Sequence, residues 1–167
     1  MVSFIQLVEI EVAGRLRKAE HVSFATVRRG YDNAKQLFDL ENPFAHLNLS
    51  AIGGHIVHLI HSGGSLRALD ELRQWTLPGL VDELIDQIDY EEELAARWWP
   101  EGKQVPIVVD PRYSSGVPTI AGRGVTISAI RSRFREGRLS IDFIAQDYRL
   151  ERDEVEHAIR FAEQLAA

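Results

Sequence analysis

A cluster of arginines between residues 110 and 138 carries the clearest chemistry in this sequence. Six arginines stand there against two acidic residues, in a chain whose net charge is −6. Arg131, Arg135 and Arg138 are spaced i, i+4 and i+7, which predicts that they share one face of a helix, while Arg133 points elsewhere. Guanidinium groups hold phosphates or carboxylates through paired hydrogen bonds. The row therefore predicts an anion-binding face; a solvated face balanced by the acidic last helix is the alternative.

Two adjacent tryptophans, Trp98 and Trp99, form a second candidate contact just before Pro100. Tryptophan is enriched among the residues that dominate protein–protein binding. The pair is therefore a candidate partner anchor, and packing of at least one ring in the core is the alternative.

The other polar clusters lack the spacing of a metal or catalytic site. His55, His58 and His61 alternate across a predicted strand, so they cannot converge on one ion. The acidic run at 89–93 lacks the loop pattern of a calcium site. We find no nucleophile elbow, P-loop, dinucleotide-binding or zinc-protease motif in the sequence. We therefore predict no catalytic residue, no cofactor and no metal, and a protein that is not an enzyme.

Composition narrows the class of protein further. Hydrophobic residues make up 45% of the 167 residues, enough to bury a core, and cysteine is absent, which excludes disulfides and thiolate metal sites. No apolar run approaches the length of a membrane-spanning helix, and the first residues lack a signal-peptide pattern. We therefore expect a cytoplasmic protein without a membrane partner, and its acidic charge argues against nucleic-acid binding by the whole chain.

Three short helices should position the arginine row. Thr126 predicts the N-cap of the first helix, which should stop at Gly137, and Ser140 predicts the N-cap of the second. Leu150 precedes a third helix with an apolar stripe. That stripe comprises Val155, Ala158, Ile159, Ala162 and Leu165. The pattern predicts a helix-turn-helix-like module over 102–167, with a plain three-helix bundle as the alternative.

A helical hairpin and a small sheet are predicted for residues 1–101. Apolar spacing indicates a helix over 4–18, and Ser23 should cap a second helix that ends near Phe38. Short β-type runs separated by glycine pairs predict an antiparallel β-meander over 47–69. The expected fold class is therefore α+β: a helical hairpin, a small antiparallel β-meander and a C-terminal three-helix module.

The segment that joins these regions is harder to assign. Thr76 and Pro78 predict a helix that runs to Ile88. Residues 89–99 fit either a helix or a strand, and Pro106–Val109 should form a short strand.

One ordered set of glycine, proline and hydrophobic residues resembles a known family. The set comprises Asp110, Pro111, Gly116, Pro118, Ile120, Gly122, Val125, Ile144, Ala145, Asp147, Tyr148 and Leu150. It resembles the domain-of-unknown-function 433 family, which includes VapB-type antitoxins. The chain departs from that family at Arg123-Gly124, where members often carry Thr-Arg. The resemblance also implies a strand that ends at Trp98-Trp99-Pro100.

The helical pair at 4–38 resembles the later half of a MerR-type DNA-binding domain. In that domain a helix-turn-helix comes first, and it is absent upstream of Phe4 here. We therefore expect operator DNA to be bound only through such an upstream element, and the chain as given to bind DNA poorly.

These resemblances imply an antitoxin of a type II toxin–antitoxin system that binds and neutralises a PIN-domain ribonuclease. Such nucleases hold Mg²⁺ with clustered carboxylates, so an arginine inserted there would compete with the metal. Arg131, Arg135 and Arg138 are the expected toxin-binding residues, with Arg123 as a further candidate. A stand-alone MerR-like transcriptional regulator is the alternative function.

A homodimer is also expected. Helix-turn-helix proteins pair to match two-fold operators. Ile159 and Phe161 point to different sides of the last helix, which predicts a second buried face on that helix.

Overall fold

The computed structural model describes residues 2–19, 23–46 and 86–165. Contacts divide the chain into two compact units, Met1–Ala95 and Ala96–Ala167. The described ranges hold five α-helices and two small two-stranded sheets, which confirms the α+β fold class. The predicted β-meander at 47–69, the three-histidine row and most of the helix expected before Ile88 lie outside the described residues.

Two helices, α1 (Phe4–Ala19) and α2 (Phe24–Leu37), form the hairpin of the first unit. The buried face of α1 repeats every four residues, at Val8, Val12 and Leu16. Helix α2 begins where Ser23 accepts a hydrogen bond from the Thr26 backbone N–H at 3.2 Å, as the sequence predicts.

A β-hairpin is formed by the described residues that follow the gap after residue 46. Strand β1 (Ile88–Glu91) is joined to β2 (Leu94–Trp98) by a turn of two residues, Glu92 and Glu93. Both turn residues have positive φ, 50° and 69°, the conformation that a two-residue hairpin requires and that glycine or asparagine usually supplies. Because both positions carry glutamate, the sequence gives no signal for this turn. The predicted helix end at Ile88 is therefore wrong, because Ile88 begins β1 and is buried there.

A second sheet begins the C-terminal unit. Strand β3 (Ile107–Val108) pairs antiparallel with β4 (Thr119–Ile120), and Ile107 lies opposite Ile120. The strand predicted at Pro106–Val109 is therefore confirmed.

Three helices follow, α3 (Ile127–Arg135), α4 (Ile141–Tyr148) and α5 (Arg152–Gln164). Both predicted N-caps are confirmed: the Thr126 and Ser140 hydroxyls each accept a backbone hydrogen bond at 3.2 Å. Helix α5 begins differently, because the Glu154 carboxylate accepts a hydrogen bond from the Glu151 backbone N–H at 2.8 Å.

Helix α5 lies at the centre of this unit and packs on both α3 and α4. Ile159 and Phe161 are both buried within the chain, at 9% and 7% exposure. The second face predicted for the last helix is therefore covered by the chain itself and does not indicate a dimer contact. The prediction that Leu165 joins the core stripe is wrong: α5 ends at Gln164, and Leu165 is 70% exposed.

The cap at Ser140 supports a stability prediction. Replacing Ser140 with alanine removes the acceptor for the Phe143 N–H and should lower the free energy of unfolding by about 1 kcal/mol. Urea denaturation followed by circular dichroism measures the loss. Ser140→Thr keeps a hydroxyl cap and serves as the control; an equal loss in both variants would contradict a role for the hydrogen bond.

Candidate functional site

A surface groove lies between α3 and the C-terminal end of α5, and we call it the α3–α5 groove. Its volume is about 590 Å³. The residues that line it come from the loop before β4, from α3 and from the end of α5. They are Val117, Pro118, Ile127, Ser128, Arg131, Ser132, Arg135, Glu136, Ala162 and Leu165.

The helical period of α3 places two arginines on this groove. Ile127 and Ile130 are buried against the core, which fixes the rotation of the helix about its axis. Arg131 and Arg135 then follow one another by one turn along the exposed side. The expectation that these two share a face is met.

The two arginines differ in their surroundings. Arg135 forms an ion pair with Glu163 of α5. Arg131 is exposed and has no ion-pair partner among the residues that the structure describes. Arg131 is therefore the guanidinium of this groove that is available to an external anion.

Apolar side chains lie open to solvent beside these charges. Val117 is 41% exposed and Leu165 is 70% exposed, although both are hydrophobic. The other charge of the lining, Glu136, accepts a hydrogen bond from the Ser132 hydroxyl at 2.8 Å. The groove can therefore receive an apolar side chain and pair a carboxylate at its rim, which is the chemistry of a protein contact.

Arg138 does not share the face of Arg131 and Arg135. Helix α3 ends at Arg135, and the chain then turns as the Gly137 and Leu139 N–H groups return to carbonyls of the last turn at 3.2 Å. Arg138 follows this turn with φ of 50°. The prediction of a three-arginine helix row is therefore wrong in geometry, because the helix is one turn too short to carry its third member.

The remaining arginines of the cluster make contacts within the C-terminal unit. Arg133 points away from the groove, as expected: its Nη1 lies 2.6 Å from Asp147, and its guanidinium lies 5.0 Å from the centre of the Tyr148 ring. This cation–π contact was not predicted from the sequence. Arg123 lies outside the α3–α5 groove, with its Nε atom 3.9 Å from Glu154.

Trp98 and Trp99 are both half-buried. The backbone of Trp98 pairs with Val109 through hydrogen bonds of 3.0 and 2.8 Å. Trp99 lines a separate cavity of about 390 Å³ together with Asp110, Tyr113 and Arg123. Neither ring is among the exposed large side chains, so the part they play as a partner anchor stays a prediction.

Asp110 is a buried charge. From the sequence it was identified only as one residue of the family pattern, without a role. It is 2% exposed and accepts hydrogen bonds from the Arg112 backbone N–H at 2.9 Å and from its guanidinium at 3.0 and 2.8 Å. The Arg112 side chain therefore holds the pKa of Asp110 below its usual value, despite the opposing effect of burial. The pair fixes the start of the loop that leads to Val117.

The described residues also bear on metal sites and membrane spans. Within the ranges 2–19, 23–46 and 86–165, no group of three or more metal-ligating side chains comes together. Over the same ranges, no helix combines the length and the apolar character needed to cross a membrane.

Comparison with known proteins gives one family and one fold. Residues 107–162 match the family model described as "Protein of unknown function (DUF433)", which agrees with the resemblance seen in the sequence. No curated protein matches the chain. The fold is similar to the X-ray crystal structure of Rv2018 from Mycobacterium tuberculosis, with a TM-score of 0.74 and 21% identity over 93% of this chain and 77% of that chain. At this identity the similarity concerns the fold alone.

The buried Asp110 predicts a pH dependence of stability. Because the folded state lowers its pKa, its contribution is complete above the ordinary value of 3.8 and is lost as pH falls below it. Asp110→Asn should therefore be less stable than the wild type at neutral pH, and this difference should shrink below pH 3.8. Urea denaturation of both proteins, at neutral pH and below pH 3.8, measures the difference in the free energy of unfolding. A difference that does not change with pH would show that the carboxylate charge is not its source.

Proposed function

We propose that this chain is an antitoxin of a type II toxin–antitoxin system, which binds and neutralises a PIN-domain ribonuclease through the α3–α5 groove. The observation that carries the proposal is Arg131, an exposed guanidinium without an ion-pair partner among the described residues, on the wall of a groove with exposed apolar side chains. Residues 107–162, which match the family model, cover all of the groove lining except Leu165, so the groove lies in the segment whose sequence resembles VapB-type antitoxins.

The proposed inhibition follows from charge. A PIN-domain nuclease concentrates carboxylates where it binds Mg²⁺, so a guanidinium delivered there would compete with the cation and block the path of the RNA. Arg131 reaches out from the groove wall, and the exposed Val117 and Leu165 supply the apolar contact beside it. Arg135 would act as a second, weaker contact, because it must exchange Glu163 for a carboxylate of the toxin.

The charge on α5 favours this proposal over the alternative, a stand-alone MerR-like transcriptional regulator. In a helix-turn-helix the first turn of the recognition helix contacts DNA. The corresponding turn of α5 exposes Glu151 and Asp153, and the exposed Arg152 is already paired with Asp142 and Glu156. A DNA backbone would be repelled from this surface.

The proposal predicts that Arg131→Ala weakens binding of the cognate ribonuclease by at least ~30-fold, the equivalent of about 2 kcal/mol, because a carboxylate of the toxin would lose its partner in a desolvated contact. The test uses a PIN-domain ribonuclease encoded beside this gene. Its activity is measured while each variant of this chain is added in increasing amounts. Arg160→Ala is the matched control, since Arg160 is exposed on α5 outside the groove. If both variants neutralise the toxin like the wild type, the groove is not the inhibitory surface.

The charge argument also predicts that the chain binds DNA poorly. A band shift with the DNA upstream of its own gene should show no sequence-specific complex at physiological salt. A tight, sequence-specific complex would contradict the prediction. If Glu151→Lys leaves that complex unchanged, the acidic turn of α5 lies away from the DNA.

A further inference from the structure

A cavity of about 390 Å³ lies beside Trp99 in the C-terminal unit, and it shares no lining residue with the α3–α5 groove. Its volume falls in the range of ~300–1,000 Å³ that small-molecule sites occupy. Two arginines, Arg97 and Arg123, line it together with the aromatic residues Trp99 and Tyr113. We call it the arginine cavity. Its size and its side chains suit a small anion that carries a planar ring.

The strand register explains why Arg97 and Trp99 reach this cavity together. Between them, Trp98 pairs antiparallel with Val109 through backbone hydrogen bonds of 3.0 and 2.8 Å. Side chains alternate along a strand, so Arg97 and Trp99 project from the face opposite to that of Trp98. The same register sets Arg97 across from Asp110, which is buried and lines the cavity. Backbone pairing therefore holds a guanidinium and an aromatic ring on one face.

The charges that line the cavity favour an anion. Among the described residues of the lining, Asp110 is the one carboxylate, and both its oxygens accept hydrogen bonds from the Arg112 guanidinium, at 3.0 and 2.8 Å. The Nε atom of Arg97 lies 3.9 Å from the same carboxylate. One carboxylate therefore faces two guanidiniums before Arg123 is counted, and this excess of positive charge attracts an anionic ligand.

Arg123 can turn toward such a ligand at little cost. Its side chain is 48% exposed, and its Nε atom lies 3.9 Å from Glu154, which is longer than a hydrogen bond. Glycine precedes and follows it, and no atom lies within 4 Å of the point where a Cβ would stand on Gly122 or Gly124. The backbone of this turn is therefore open, which lets a ligand approach it closely.

Tyr113 is exposed on a loop whose backbone is constrained. Its N–H donates to the Asp110 carbonyl at 3.0 Å, and the residue is 59% exposed. Ser114 and Ser115 follow with φ of 48° and 55°, a conformation that is unfavourable for residues other than glycine and that clusters at binding sites. The loop therefore holds an aromatic face in solvent, where a planar ligand can stack on it.

We propose that the arginine cavity binds a phosphate joined to a planar ring, which is the chemistry of a mononucleotide. Arg97 and Arg123 bind the phosphate, because its several oxygens can accept paired hydrogen bonds from two guanidiniums at once. The ring stacks on Tyr113, as bases stack on exposed aromatic side chains. A free mononucleotide and the 5′-phosphate end of an RNA strand share this chemistry. The proposal does not rest on the antitoxin function, since the α3–α5 groove is lined by other residues.

Isothermal titration calorimetry of the full chain tests the proposal with three probes: adenosine 5′-monophosphate, adenosine and inorganic phosphate. The monophosphate should bind at least ~tenfold more tightly than either of the others, because it alone engages the arginines and the ring together. Adenosine that binds as tightly as its monophosphate would overturn the proposal, because the arginines would then contribute nothing. A monophosphate that does not bind at millimolar concentration would overturn it too.

Variants of two exposed side chains separate the phosphate contact from the ring contact. Arg123→Gln should weaken binding of the monophosphate at least ~tenfold, because it removes a charged partner of the phosphate. Tyr113→Ala should weaken binding as well, whereas Tyr113→Phe keeps the ring and should bind like the wild type. Arg160→Gln is the matched control, since Arg160 is exposed on α5 outside the cavity. If Arg123→Gln has an unchanged circular dichroism spectrum and binds the monophosphate like the wild type, the proposal is wrong.

A short single-stranded RNA, with and without a 5′-phosphate, distinguishes the two sources of the ligand. If the phosphorylated RNA binds more tightly than the free monophosphate and loses affinity in Arg123→Gln, the ligand is an RNA end. If the free monophosphate binds at least as tightly, the ligand is the mononucleotide. Neutralisation of the ribonuclease by Arg131→Ala is measured without these probes, so failure of one proposal is distinguishable from failure of the other.

Discussion

The burial of α5 between α3 and α4 is the interaction on which the C-terminal unit depends. Val155 and Ala158 of α5 are fully buried, and Ile159 and Phe161 of the same helix are buried as well. Because Ile127 and Ile130 of α3 are buried in the core that α5 forms, α3 exposes the side that carries Arg131. The same packing leaves the end of α5 at the surface, where the exposed Leu165 borders the groove. Core packing and the proposed binding surface are therefore two consequences of one helix arrangement.

Ion pairing then determines which charges of the unit remain available. Four arginines of the cluster are each paired with a carboxylate of the same unit: Arg112, Arg123, Arg133 and Arg135. These contacts give most of the arginine cluster a structural part, which agrees in part with the alternative of a balanced, solvated face. Arg131 departs from that alternative, because no carboxylate of the described residues pairs with it and the exposed Val117 and Leu165 line the same groove. The proposed function rests on this difference between neighbouring arginines.

Sequence reasoning predicted the features that depend on neighbouring residues. Thr126 and Ser140 cap their helices because a hydroxyl at that position meets a backbone N–H, whatever the rest of the fold does. It missed Glu92-Glu93, because a two-residue turn with positive φ has no signature when glutamate occupies it. It also placed Arg138 in the arginine row by spacing alone, although the stop predicted at Gly137 already put that residue beyond the helix. The groove itself is lined jointly by the loop at Val117 and the end of α5, which are far apart in the sequence, so no local pattern encodes it.

Hydrogen exchange of this chain with and without the cognate PIN-domain ribonuclease tests the central claim most directly. Binding through the α3–α5 groove should slow exchange at the backbone amides of Val117, of α3 and of the last turn of α5. The first turn of α5 and the hairpin of α1 and α2 should exchange at unchanged rates. Protection confined to α1 and α2, with α3 unaffected by a bound and inhibited toxin, would contradict the assignment of the groove.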